Sequence, residues 1–73
     1  MQQQELNTVV QQALNQLPVD AREIILLRDF DALSYAEISQ VLGIASGTVM
    51  SRLHRARQQL REKVMQTFEF IQP

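Results

Sequence analysis

Residues 52–57, "RLHRAR", gather Arg52, His54, Arg55 and Arg57 into six positions. Guanidinium groups remain charged at any physiological pH, and their forked donors match phosphate and carboxylate oxygens. Such a cluster can bind a polyanion, or it can be a solvated helix face whose cations favour the C-terminal end of the macrodipole. Catalytic uses lack the remaining parts. His54 is the sole histidine and there is no cysteine, so neither a metal ligand set nor a nucleophile with its base is assembled. Ser34, Ser39, Ser46 and Ser51 have no histidine–carboxylate arrangement at helical spacing. The carboxylates are dispersed, and no Gly-rich phosphate loop occurs. The chemistry these residues support is binding without a cofactor, a metal or a small-molecule substrate, so the chain does not read as an enzyme.

The charge around the cluster is uneven. The 73-residue chain has a net charge of −1, yet residues 1–45 carry two arginines against six carboxylates, a net −4. Residues 46–63 carry Arg52, Arg55, Arg57, Arg61 and Lys63 against Glu62, a net +4. A polyanion meets the local patch, so a nucleic acid remains a fitting partner despite the acidic total. At this length one domain is expected, with a core that must be economical. The longest apolar run is "IILL", residues 24–27, far short of a membrane span, and no signal-peptide pattern opens the chain. These features favour a cytoplasmic setting away from any membrane.

The elements that must position the cluster read as helices. Leu6, Val9, Val10, Ala13, Leu14 and Leu17 recur at amphipathic-helix spacing, predicting a helix over 5–16. Pro18 suits the first turn of the next helix, predicted over 19–29 with Ile24, Ile25, Leu26 and Leu27 as its apolar body. "DFDALS" breaks it. Ser34 and Glu37 form the S-x-x-E capping box of a third helix, 34–42, with Ala36, Ile38, Val41 and Leu42 as apolar positions. Gly43 supplies a left-handed stop, and Ser46 is the next candidate N-cap. The fourth helix is predicted over 46–63 or longer. The fold class is all-α: a small four-helix domain over 1–73 containing a helix-turn-helix. On the fourth helix Val49, Leu53, Ala56 and Leu60 share a buried stripe, while Gly47, Ser51, His54, Arg55 and Gln58 face away and Met50 and Arg61 flank them. Arg52 and Arg57 lie beside the stripe, placed to reach phosphates or to cover the core with their stems.

The stretch "LPVDAREIILLRDFDALSYAEISQVLGIASGTVMSRLHRARQQLRE", residues 17–62, resembles region 4 of bacterial sigma factors, the C-terminal −35-binding domain, and in particular the extracytoplasmic-function (ECF) group. The resemblance is carried in order by Leu17-Pro18, Arg22, Arg28, Ser34-Tyr35, Glu37-Ile38, Leu42-Gly43, Gly47-Thr48-Val49, Ser51-Arg52-Leu53, Arg55-Ala56-Arg57 and Leu60. It implies a role in transcription initiation, with residues 46–61 docked in the major groove of the promoter −35 element. The same resemblance implies RNA polymerase core as partner, through the beta flap, and an anti-sigma factor as a further one. Carried over by position, Gly47, Thr48, Met50, Ser51, His54 and Arg55 meet bases or groove edges, and Arg28, Tyr35, Arg52 and Arg57 meet phosphates. Met50 departs from the family, which usually has lysine or arginine there. A separate −10-binding domain belongs to full-length members, so the chain is expected to be a region-4 piece or a free-standing relative.

Other readings of the same residues stay open at this point. Arg28 pairs with Asp29 or Asp31 instead of DNA, Tyr35 packs over the turn, or Met50 is partly packed. Val64, Phe68 and Ile71 either continue the fourth helix over the core or form, with Phe70, an apolar patch for a partner. A protein-interaction module with weak DNA binding alone is the alternative function. The output domain of a response regulator ranks lower, because its usual T-V-K-x-H differs from Thr48-Val49-Met50-Ser51-Arg52.

Overall fold

In a computed structural model, which describes residues 2–71 and the side chains of residues 7–69, four helices follow one another. They are α1 (Gln2–Asn15), α2 (Val19–Ile25), α3 (Tyr35–Leu42) and α4 (Ser46–Ile71). No strand occurs among the described residues. α2 does not end at Ile25 but widens into a π turn, Leu26–Phe30. Asp31 N–H donates to the Leu26 carbonyl at 2.9 Å, and Leu33 N–H to the Leu27 carbonyl at 3.0 Å. Ala32, at φ 59°, takes the left-handed conformation that closes this turn. The helix predicted over 19–29 is therefore α-helical for seven residues and π-helical for the rest.

Local chemistry sets the other boundaries. Pro18 lacks an N–H, which suits it to the cap position of α2, where its carbonyl accepts from Arg22 N–H at 3.0 Å. The Ser34–Glu37 capping box is formed in both directions. Glu37 N–H donates to Ser34 Oγ at 3.0 Å, and Ser34 N–H donates to Glu37 Oε1 at 2.7 Å. Gly43 ends α3 at φ 69°, with its N–H on the Ser39 carbonyl at 2.9 Å. The Ser39 hydroxyl donates to the Ile44 carbonyl and secures the three-residue turn 43–45. The cap of α4 is Ala45, not Ser46: the Ala45 carbonyl accepts the first helical bond, from Val49 N–H at 3.0 Å, and Ser46 is already helical.

All described helices converge on α4, which packs against α1, α2 and α3. The buried core is apolar throughout: Val9, Ala13, Leu14 and Leu17 from the first segment, Ile24 and Ile25 from α2, Ile38 from α3, and Val49, Leu53 and Ala56 from α4. Leu60 packs at its edge. Two expected apolar positions of α3 face solvent, since Ala36 is exposed and Val41 is 60% exposed. An eight-residue helix touches the core through one narrow stripe, here Ile38 with Leu42 beside it. The expected stripe residue Leu6 lies outside the described side chains, as do Phe70 and Ile71 in the proposed C-terminal patch. Of the remaining two, Val64 is half-buried and Phe68 is 37% exposed, so the extension of α4 is only partly covered. No helix among the described residues is long and apolar enough to cross a membrane.

Candidate nucleic-acid interface

α3, the turn 43–45 and α4 form the helix-turn-helix, and the burial of Val49, Leu53 and Ala56 fixes which face of α4 looks outward. That face carries Gly47, Met50, Ser51, Arg52, His54 and Arg55, all exposed, with Thr48 half-buried at its edge. Met50 is 57% exposed, so it is not packed into the domain. Among the described residues no ion pair or side-chain hydrogen bond engages Arg52, His54 or Arg55. Their donors are free for a ligand. The Ser51 hydroxyl donates to the Thr48 carbonyl at 3.1 Å, which leaves its lone pairs outward as acceptors.

The start of α4 adds a second source of positive potential. Its first turn contains no acidic side chain, so the positive end of the helix dipole and its unpaired N–H groups are not neutralised. Gly47 sits in this turn with nothing within 4 Å of the place a Cβ would take. The fold does not require a glycine there; its smallness opens space on the outer face. On the flank of α4 toward α2, Arg52, Arg55 and Gln59 line a shallow open groove of about 270 Å³ with Asp20, Ala21 and Ile24.

The other expected phosphate residues are engaged within the fold. Arg28 pairs with neither Asp29 nor Asp31. Its Nη1 donates to the Leu33 carbonyl at 2.8 Å, and its guanidinium lies over the Tyr35 ring, 4.9 Å from the centroid. Tyr35 is half-buried at the core margin, so Arg28 and Tyr35 form one stacked unit where the π turn meets α3. Arg57 is held by Asp29: Nε donates to Oδ2 at 3.1 Å and Nη2 to Oδ1 at 2.5 Å. This bidentate bond raises the already high pKa of Arg57, with partial burial opposing it.

Asp29 is the residue that sequence reasoning missed at this site. The signal was present in the spacing. Asp29 stands four residues after buried Ile25, and Arg57 four after buried Leu53, a spacing that hints at facing flanks, although Asp29 itself lies in the π turn beyond α2.

Comparison with known proteins agrees with this arrangement. Residues 8–60 match the family model described as sigma-70, region 4. The chain is 49% identical over 57 residues to the ECF RNA polymerase sigma factor SigE of Mycolicibacterium smegmatis, covering 78% of this chain and 22% of that protein. It is 42% identical over 60 residues to the ECF RNA polymerase sigma factor SigW of Bacillus subtilis, covering 82% and 32%. To the ECF RNA polymerase sigma-E factor of Escherichia coli K12 it is 42% identical over 64 residues, covering 88% and 34%. The chain thus spans between a fifth and about a third of the length of these relatives.

Proposed function

This chain belongs to the sigma-70 region 4 family, of ECF type, and from that premise we propose that it binds promoter DNA in transcription initiation, with α4 residues 46–61 in the major groove of the −35 element. The observation that carries the reading is the outward face of α4, where Arg52, His54 and Arg55 stand unpaired beside an N-terminal turn free of carboxylates. Gly47, Thr48, Met50, Ser51, His54 and Arg55 address base edges. Arginine is the side chain best matched to guanine O6 and N7, so Arg55 supplies the strongest discrimination. Met50 has no donor, and its contact is apolar, of the kind a thymine methyl offers. Arg52, with Arg28 and Tyr35 from the joint before α3, serves the phosphate edges.

The RNA polymerase beta flap is the proposed protein partner, with an anti-sigma factor competing for the domain. This second reading is favoured by the outer side of α2, where Leu26, Leu27 and the 65%-exposed Val19 line an open depression edged by Arg22, Glu23 and Asp31. That apolar surface faces a different partner from the cationic face of α4.

The test is selection by the 73-residue chain from duplexes with a randomised ten-base-pair window. Enrichment of one motif is expected, and Arg55→Ala should weaken binding to that motif by about 1–3 kcal/mol. A pool that emerges without any enriched motif overturns base-specific reading by this domain.

A further inference from the structure

The Asp29–Arg57 pair is the only ion pair among the described residues, and it joins the π turn that closes α2 to the middle of α4 across 28 positions of sequence. Both carboxylate oxygens are used, each by a different nitrogen of the guanidinium. The two side chains remain partly exposed, at 46% for Arg57 and 35% for Asp29, so the pair stands at the surface and not in the core.

Its position divides α4 into unequal flanks. Measured around the helix from Val49 at about 100° per residue, Arg52 and Arg55 fall roughly 60° and 120° to one side. Arg57 and Met50 fall roughly 80° and 100° to the other. The first flank opens on the groove beside Asp20 and Ala21, and its arginines are unpaired. On the second flank Met50 carries no charge and Arg57 faces a carboxylate at hydrogen-bond distance. Through residue 57, the arginines of the helix without an ion-pair partner stand on one flank; Arg61, one turn further on, returns to the Arg57 flank at roughly 120°.

We propose that Asp29 is a positioning residue for the recognition helix: it anchors Arg57 to the π turn and withdraws that cation from phosphate, so that of the two flanks it is the one carrying Arg52 that meets the DNA backbone. The anchoring itself concerns the fold alone, and its effect on DNA rests on the promoter-binding reading above. The pairing explains how a residue in the middle of a cationic run contributes to the orientation of α4 without adding to its charge. It also gives the π turn a purpose, since that turn carries Asp29 to the edge of α4.

Counterion release measures the withdrawal directly. The slope of log affinity against log salt steepens by about 0.9 for each phosphate neutralised on a duplex. In duplex titrations with the 73-residue chain, Asp29→Asn should free Arg57 and steepen the slope by about 0.9. The double variant Asp29→Asn/Arg57→Gln should return to the wild-type slope. A steepening that persists in the double variant would reflect only the lost repulsion between Asp29 and DNA, and it overturns the proposal. So does an unchanged slope in Asp29→Asn, or a slope shallower by about 0.9 in Arg57→Gln alone, which would place Arg57 on a phosphate in the wild type. A thermal-unfolding cycle over the same four proteins tests the anchoring without DNA: non-additive melting shifts support it, and additive ones overturn it. If the wild type binds no duplex at any salt, the promoter-binding reading fails, and the cycle alone decides whether Asp29 positions Arg57.

Discussion

Gly43 and Gly47 stand four residues apart and answer to different constraints. Gly43 holds φ 69°, a conformation that crowds the Cβ of any L-residue against its own carbonyl, although no neighbour approaches it. Gly43→Ala should therefore cost about 1 kcal/mol in thermal unfolding through the backbone alone. Gly47 lies in the first turn of α4 at an ordinary helical φ with open space around it. Gly47→Ala should leave the melting temperature unchanged or raise it by the equivalent of about 0.5 kcal/mol, the usual gain of alanine over glycine in a helix. Duplex affinity should fall nonetheless, because the added methyl meets the groove. Melting curves and a titration on the same sample separate the two effects, and a large loss of stability in Gly47→Ala would refute this account. Gly43 was legible as a helix stop because glycine is the residue that adopts left-handed φ without strain. The second left-handed residue, Ala32, was hidden because its type gives no sign of it. Its conformation is imposed by the carbonyls of the π turn that its neighbours must satisfy.

At the scale of elements, the boundaries written in side-chain chemistry were the readable ones. The Ser34–Glu37 box satisfies two orphan N–H groups at the start of α3 reciprocally. That helix has eight residues and one fully buried side chain, so it depends on its cap more than a long helix would. Ser34→Ala should destabilise the domain by about 1 kcal/mol, measured by urea titration, with Ser34→Asp largely restoring it. A Ser34→Ala variant as stable as wild type would show that packing of Ile38 alone holds α3. The π turn was not legible, because its five residues, Leu26–Phe30, share the apolar spacing of an α-helix. What widens the turn is tertiary: the loop must return to Ser34 while Arg28 reaches the Leu33 carbonyl and Asp29 reaches Arg57. For the same reason the alternative pairing of Arg28 with Asp29 or Asp31 is not borne out: the fold gives its guanidinium an aromatic face and a backbone acceptor in place of a carboxylate. The outward face of α4 was legible because one stripe, Val49-Leu53-Ala56, fixes the rotation of the whole helix.

For the whole molecule, one helix supplies both the cationic outward face and the centre of the core. A domain of this size is held by roughly 4–11 kcal/mol, at the usual 0.05–0.15 kcal/mol per residue. Leu53 is 1% exposed at the middle of the α4 stripe. Leu53→Ala should cost about 2–5 kcal/mol, a large fraction of that total, and weaken duplex binding only in proportion to the molecules it unfolds. Circular dichroism in urea checks the first part and a titration the second. A loss of affinity far beyond the unfolded fraction would show that Leu53 also shapes the cationic face directly. The radius of gyration, 13.5 Å, exceeds the roughly 11 Å of a compact chain of 73 residues. The excess comes from α4, whose 26 residues span about 39 Å of the 44 Å long axis.

That unbroken length makes α4 a stiff lever with its fulcrum in the core. From Val49 to Ile71 it extends about 33 Å, so a tilt of roughly 10° at the groove swings the far end by about 6 Å. If the domain seats on the proposed duplex at a different angle, a probe attached at the opposite pole registers that difference as a displacement of this size.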